Sequence, residues 1–434
     1  GAWTSYTPSL QQGGNVSKTV TYARYFKLGR FVTAEVSLAV TGSGTSSTAV
    51  EVGLPVTAAT SNIIVGTFYL SDVSTSTVHL GAAVLAQQPA GPAAALHAAV
   101  DAWLKQALPA LQGTPQVTQY AGGASNWTYR LQYANDDLIL RRPPAGTKAK
   151  SAHDMLREAK IMTALKPVYP YVPNVLATCS DPEVMDCDFY VMERINGIIP
   201  RQNLPKGLQL SPEETRQLCL NVIDKMIELH QVDYQAAGLA NMGKGEGYVK
   251  RQIEGWSDRF RKSHTPDVSG FEAVMTWLHA KMPAHDVATC FIHNDFRFDN
   301  VVLNANNPLE VIGVLDWEMA TLGDPLMDLG NTLAYWVQAD DDATFQMMRR
   351  QPTHLTGMLT RQEVITYYGE KTGYKVDNFD FYTIYGLFRL AVIIQQIYYR
   401  FYHGQSKNPQ FAVFGNMANY LEQRCLVLMA KSSL

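Results

Sequence analysis

This chain of 434 residues is short of charge, of pairable cysteines and of long apolar runs, and each shortage excludes something. Only 17% of its residues are charged and the net charge is −3, so the basic surplus of a general nucleic-acid binder is missing. Its five cysteines (Cys179, Cys187, Cys219, Cys290, Cys425) are odd in number and show no metal-ligand spacing. Reduced, mostly buried thiols are expected, and with them a cytoplasmic location. No apolar stretch approaches the ~20 residues of a membrane helix, and the N-terminus lacks a basic-then-apolar signal pattern. The run Ala391-Val-Ile-Ile394, flanked by Arg389 and Gln395, reads as a core helix instead. Neither nucleic acid nor membrane is an expected partner, and the oligomeric state stays open. With 46% hydrophobic residues, the composition is that of a globular protein large enough for two or three domains.

Residues 1–86 differ from the rest. They hold seven charged side chains and are rich in Thr, Ser, Val and Gly. Val32, Ala34, Val36, Leu38 and Val40 alternate with Thr33, Glu35, Ser37 and Ala39, the period of a half-buried strand. Val50–Val56, Val20–Tyr25, Ile63–Leu70 and Val78–Leu85 bring the count to about five short strands, which predicts a small all-β, sandwich-like module. The Pro/Gly/Ala-rich Ala86–Ala93 marks a linker. Beyond it, Leu96, Val100, Leu104, Leu108 and Leu111 share a helix face that Pro109 interrupts, and this helix is expected beside the next domain. From Val117 a mixed, strand-rich part gives way to a mostly helical one. Within that part Ser211-Pro-Glu-Glu214 is a capping box, with Leu218, Val222, Met226 and Ile227 as the buried stripe behind it. The expected divisions are 1–86, a linker and helix at 87–115, a small lobe at 116–197 and a helical large lobe at 198–434.

The most informative stretch is His293-Asn-Asp-Phe-Arg-Phe-Asp-Asn300, followed by an apolar run that ends in Asp316. Phosphoryl transfer from ATP needs such a set: one carboxylate for the acceptor hydroxyl, and an amide oxygen with a second carboxylate for Mg²⁺. Asp295 is the candidate base, and Asn300 and Asp316 are the candidate metal ligands, hard oxygen donors suited to Mg²⁺. Arg297 is a candidate cation for the transferred phosphate, with a salt bridge to Asp299 as the plainer reading. His293 reads as a brace for the loop. Trp317-Glu318 stands where protein kinases carry Phe-Gly, so a flipping switch of that kind is not expected.

These motifs, together with Leu322–Gly330, Leu140-Arg-Arg-Pro-Pro144, Met192–Gly197 and Gly247–Gln252, resemble the aminoglycoside phosphotransferase/choline kinase superfamily. The closest likeness is to the branch fused to acyl-CoA dehydrogenases in some eukaryotes, and it covers residues 116 to about 430. It implies an α+β, two-lobed protein-kinase-like fold and phosphorylation of a hydroxyl on a small molecule. It also implies that Asp324 fixes a loop and that Glu318 lies near the metal. Residues 1–86 are similar to β-rich modules of phage tail fibres, in Gly1–Pro8 and Leu54–Ala58. That pairing, and a start at Gly rather than Met, suggest a fusion, natural or engineered.

In the small lobe, Gly122, Gly123 and Ser125 are expected to drape backbone N–H groups over the ATP phosphates. Arg141, or Arg142 if the register shifts, stands where kinases place a phosphate-pairing lysine, with Glu158 as its helix partner. Met192 and Glu193 fall at the adenine-binding connection. Arg251 and Arg259, spaced along a helix with Tyr248, Gln252 and Trp256, are candidates to hold an anionic acceptor such as a hydroxyacyl-CoA. Asp340-Asp341-Asp342 reads as a solvated helix start, so no dense acidic wall for aminoglycosides is apparent. An aminoglycoside or choline kinase remains an alternative. So does a nucleotide-binding pseudokinase, or a binding protein led by the β-module.

Overall fold

Strand alternation and helical stripes sort the chain into elements before any packing is considered. The computed structural model describes residues 4–5, 10–11, 18–28, 31–40, 51–52, 66–72, 77–83, 92–120, 126–144, 154–406 and 408–434, with side chains from residue 98 onward. Two compact units divide at Ala102/Trp103.

In the first unit the described strands are β1 (Thr4–Ser5), β2 (Leu10–Gln11), β3 (Lys18–Leu28), β4 (Phe31–Val40), β5 (Glu51–Val52), β6 (Gly66–Asp72) and β7 (Thr77–Ala83). They pair antiparallel as β1-β3-β4, β2-β5 and β6-β7. The strand expected to run on to Val56, the linker at 86–91 and the sandwich as a whole lie outside the described residues. Helix α1 (Pro92–Ala107) stops two residues before Pro109. Within the second unit, Leu104 is fully buried and Trp103 meets Phe189 edge-on at 5.1 Å.

The small lobe is a five-stranded antiparallel sheet in the order β11-β12-β10-β9-β8. Its elements are β8 (Gln116–Gln119), β9 (Trp127–Gln132), β10 (Asp137–Arg142), helix α2 (Met155–Leu165), β11 (Val175–Cys179) and β12 (Phe189–Glu193). Strand β10 is central and buried, pairing Leu140 with Tyr129 on one side and with Val191 on the other. Asp154 caps α2 by accepting from the Arg157 N–H at 2.9 Å.

The large lobe begins with α3 (Pro212–His230), which has the capping box expected at Ser211/Glu214 and buries Leu218, Val222, Met226 and Ile227. It continues with α4 (Tyr248–Ser263), α5 (Glu272–Ala280), β13 (Cys290–Ile292), β14 (Val301–Leu303), β15 (Val311–Val314), β16 (Thr321–Gly323), α6 (Pro325–Ala334), α7 (Ala343–Met347), α8 (Arg361–Thr372), α9 (Asp380–Tyr402) and α10 (Phe414–Lys431). The short ladders β13-β16 and β14-β15 hold the motif segments in place. Helix α9 contains Ala391–Ile394 and is a core helix, as its flanks imply. It crosses α6 so closely that a Cβ on Gly386 would stand 2.2 Å from the Gly330 carbonyl. No helix among the described residues is long and apolar enough to cross a membrane.

One surface expectation fails. Asp342 does cap α7, but Asp341 keeps only 4% side-chain exposure and pairs with Arg361 at 2.6 Å and Arg424 at 2.5 Å. The acidic tract is thus half spent on joining α8 and α10.

Candidate active site

The loop between β13 and β14 owes its shape to Asn294, which adopts a left-handed backbone (φ 65°) that Asn tolerates better than most residues. Five groups hold it. Tyr248 donates to its Oδ1 at 2.9 Å and Asn331 at 3.2 Å, while its Nδ2 donates to the Met319 carbonyl at 3.1 Å. Its N–H donates to Asp328 Oδ1 at 2.8 Å, and its carbonyl accepts from Arg389 at 3.0 Å. Asp328 also accepts from the His293 N–H at 2.9 Å and lies 3.0 Å from His230 Nε2, whose other ring nitrogen meets the Tyr368 hydroxyl at 2.6 Å. Burial alone would raise the Asp328 carboxyl, but the bond from His230 and the neighbouring donors hold it below its ordinary range.

His293 is fully buried. Its Nδ1 accepts from the Asp295 N–H at 3.2 Å and its Nε2 faces the Leu315 carbonyl at 3.0 Å, so a neutral ring fits both bonds. Burial pushes its pKa down. The ring braces the loop, as the sequence implies.

Asp295 keeps 23% side-chain exposure. Asn300 Nδ2 donates to its carbonyl at 2.9 Å and to its Oδ2 at 3.1 Å, which leaves the Asn300 amide oxygen free to turn outward. The Leu315 N–H donates to the Asn300 carbonyl at 2.7 Å, setting Asp316 beside Asn300. Asp316 is itself left-handed (φ 69°) with a side chain 35% exposed. Burial pushes the Asp295 carboxyl up to about 6, with Arg297 pulling the other way and Asp316 adding to the rise. Arg297 bridges Asp295 at 3.3 Å and Asp299 at 3.1 Å, and its guanidinium stacks on Tyr335 at 4.6 Å. The salt bridge to Asp299 therefore exists, and the same cation reaches Asp295.

From the small lobe, Arg141 donates to Glu158 at 2.5 Å and to Asp316 at 3.0 Å, and it lies 3.6 Å from Glu318. Burial pushes the Glu158 carboxyl up against the pull of Arg141. Arg142 points elsewhere, to Asp186 at 3.3 Å and over the Trp127 ring, because adjacent strand residues face opposite sides. Of the two arginines, Arg141 is the one at the site. Asn126, which follows the Gly122-Gly123 stretch in sequence, donates to Glu318 at 2.7 Å. Gly122, Gly123 and Ser125 lie outside the described residues.

Two expectations shift. Met192 and Glu193 are engaged in the sheet: Met192 pairs with Ile139 and Val175, and Glu193 donates its N–H to the Asn174 carbonyl. Its carboxylate turns to Lys166 and the Asn174 N–H. The lobe connection follows them, at 194–197. Arg251 folds back onto the Gly245 and Glu246 carbonyls at 2.5 Å, pinning the loop ahead of α4, while Arg259 is exposed and stacks on Trp256 at 4.5 Å.

Sequence reasoning missed the Asp328–His230 brace, Arg389, and Arg157, which donates to the Met242 and Ala320 carbonyls at 3.1 and 2.6 Å and so ties α2 to the segment after Asp316. Only Asp328 left a trace, as a carboxylate amid the apolar residues of α6. No cluster of three His, Cys, Asp or Glu side chains fit for a metal occurs among the described residues. Asn300 with Asp316 is a pair of oxygen donors, which suits a cation that keeps several waters.

A lobe pair joined by one connection, with these side chains converging between the lobes, is the architecture of a kinase-like phosphotransferase. Residues 116–361 match the model of the phosphotransferase enzyme family, and the chain belongs to that family. It is 34% identical over 313 residues to acyl-CoA dehydrogenase family member 10 of Mus musculus, covering 72% of this chain and 29% of that one. With acyl-CoA dehydrogenase family member 11 of Rattus norvegicus it shares 31% over 342 residues, covering 77% and 43%. The match thus spans less than half the length of these relatives. A solved Ralstonia eutropha structure, provisionally assigned as an aminoglycoside phosphotransferase, aligns with a TM-score of 0.66 and 28% identity, covering 78% of this chain and 99% of that one.

Proposed function

We propose that the chain transfers the terminal phosphoryl group of ATP, with Mg²⁺, to a hydroxyl of a small anionic acceptor of the hydroxyacyl-CoA kind. The observation that carries this is the triangle of Asp295, Asn300 and Asp316, built by the 3.1 Å Asn300–Asp295 bond and the 2.7 Å Leu315–Asn300 bond. Asp295 accepts a hydrogen bond from the acceptor hydroxyl, aligns it in line, and takes its proton as the new oxygen–phosphorus bond forms and the bond to the ADP leaving group breaks. Arg297 neutralises charge beside it. Asn300 Oδ1 and Asp316 would hold the metal, which would offset the charge on the phosphates of ATP. Arg141, oriented by Glu158, would present its remaining donors to the phosphates, and Gly122, Gly123 and Ser125 are proposed as further phosphate-binding residues.

The acceptor class rests on three supports. Arg259 is an exposed cation on the large-lobe side. Asp341, the tract most like an acidic wall, is occupied by arginines. The curated relatives are acyl-CoA dehydrogenase family members. ADP release over a panel of hydroxyacyl-CoAs, free hydroxy acids, choline and aminoglycosides tests the assignment. Turnover is expected with the anionic acceptors. Turnover of an aminoglycoside with no CoA ester sinks the acceptor class. A thermal shift by ATP that ignores Mg²⁺ favours a nucleotide-binding pseudokinase.

The division at 1–86, 87–115, 116–197 and 198–434 belongs to the same proposal, with the first part dispensable for transfer. A chain starting at Gly91 keeps α1, whose Leu104 is buried and whose Trp103 packs on Phe189. It is expected to retain kcat and KM within about twofold, well under the ~1.4 kcal/mol of a tenfold change. Loss of activity in that truncated chain would mean the first part contributes to the site.

A further inference from the structure

Arg389 is a buried cation with no ion pair among the described residues. It keeps 4% exposure on α9, and its contacts there are the Asn294 carbonyl at 3.0 Å and the Trp256 ring at 5.2 Å. None of its nitrogens is both sealed and without a partner, so the donors not bonded to Asn294 face accessible space. Arg259 stacks on the same indole at 4.5 Å, so two like charges share one ring. Tyr385, one turn before Arg389 and fully buried, lies within the field of both guanidiniums. Burying a guanidinium whose direct contacts are one carbonyl and a ring face is costly even with Asp295 acting on it through space, and a second cation beside it adds repulsion. Holding Asn294 in its left-handed turn requires one donor and no charge. An anion between the two arginines removes both costs and completes a charge-assisted fork.

We infer that Arg389 and Arg259, both against the Trp256 ring, form the seat for a carboxylate-class anion on the acceptor. This rests on the phosphotransferase reading for what the anion belongs to, but not for the existence of the seat. Asn294, which Arg389 grips, precedes Asp295 by one residue. Arg389 also pulls on the Asp295 carboxyl, so seat and base are neighbours that one short free hydroxy acid spans, whereas the thioester end of a hydroxyacyl-CoA carries no charge for the seat. Arg389 fixes the anionic end and Asp295 receives the hydroxyl, so the seat selects by charge and by chain length between the two groups. Arg251, bound to its own loop, takes no part.

The test uses the full chain with Mg·ADP present and two probes of matched shape, butyrate and butyramide. Tryptophan fluorescence and calorimetry follow binding. Butyrate is expected to bind at least tenfold more tightly than the amide. Arg389→Gln and Arg259→Gln should each lower butyrate affinity about tenfold or more while Mg·ADP affinity changes less than twofold. Arg389→Lys should recover part of the loss, and Trp256→Phe should remove the fluorescence signal. Arg259 is exposed, so its variant still tests the seat even if Arg389→Gln fails to fold. Equal binding of the two probes, no binding of either, or variants that weaken Mg·ADP as much as butyrate would overturn the seat. Butyrate selectivity that depends on both arginines, in a chain that phosphorylates nothing on the acceptor panel, would keep the seat and reject the phosphotransferase reading.

Discussion

Asn294 and Arg141 stand on the large-lobe and small-lobe sides of the site, and each is held by several partners, but the two sets differ in kind. Around Asn294 the partners are Tyr248, Asn331, a Met319 carbonyl, Asp328 and Arg389, drawn largely from α4, α6 and α9 and packed into the main core. Around Arg141 they are Glu158, Asp316 and Glu318, carboxylates only. The first set is complete without any ligand and fixes a backbone shape. The second is a charge balance, which on the proposed reading a polyanion with a divalent cation would redistribute, the metal competing for Asp316 and the phosphates for Arg141. The large-lobe half is preorganised, and the small-lobe half is electrostatically adjustable.

The largest expected effect tests the preorganised half. Asp295→Ala is expected to cut kcat by about 10²–10⁴-fold while Mg·ATP binding, measured by calorimetry, stays within twofold. Asp316→Ala should do the reverse and weaken Mg·ATP. Equal loss of ATP affinity in both would collapse the separation of roles. The same carboxylate sets a pH limb. With its pKa pushed up to about 6, Asp295 is ionised only above that value, so kcat/KM should fall as pH drops through about 6. Its contribution to stability runs the opposite way. A folded pKa raised above the unfolded one favours folding in acid, and that contribution fades as pH climbs toward about 6. Arg297→Gln removes the cation that opposes the rise, so the limb should move to higher pH. A downward move would mean that Arg297 does not act on Asp295.

What the sequence disclosed follows the same line between the two halves. Asp295, Asn300 and Asp316 were legible because one short loop and one strand end carry them, and the ladder β14-β15 brings those together locally. Arg141 and Glu158 were legible as a strand end and a helix turn, and register decides between Arg141 and Arg142 only once β10 is seen between β9 and β12. Asp328–His230 and Arg389–Asn294 were not. Each joins residues almost a hundred positions apart, and nothing local distinguishes a buried Arg in an apolar helix from a snorkelling one. Arg251 misled for a related reason: helical spacing gives a face, but not whether nearby carbonyls have claimed the side chain first.

Next in size is the brace under the loop. Asp328→Ala strips two backbone N–H groups and His230 of their buried acceptor, and is expected to cost about 3–5 kcal/mol in urea unfolding. Because its carboxyl is held below the ordinary range, wild-type stability from this group is present above the unfolded value near 4 and is lost as pH falls below it. The difference between wild type and Asp328→Ala should narrow in acid. A difference that stays constant down to pH 3 would assign the loss to packing alone.

The finest discrimination comes from adjacent arginines on β10. Arg141→Gln leaves Glu158 buried without its cation, so stability and Mg·ATP affinity should both fall, the affinity by about tenfold, each tenfold step being ~1.4 kcal/mol. Arg141→Lys keeps the charge but not the fork. One ammonium cannot serve Glu158 and the Asp316 side together as the planar group does, and a loss of several-fold in KM for ATP with kcat nearly kept is expected. Arg142→Gln removes a pair to Asp186, whose side chain is 83% exposed, and such pairs are worth about 0–1 kcal/mol. Its KM for ATP should stay within twofold, even though the same type of side chain stands one residue away. The contrast depends on β10 register alone. If Arg142→Gln raised KM as much as Arg141→Gln, the phosphate-facing cation would not be set by that register. The adjustable half of the site would then be a diffuse basic edge rather than a balance centred on Arg141.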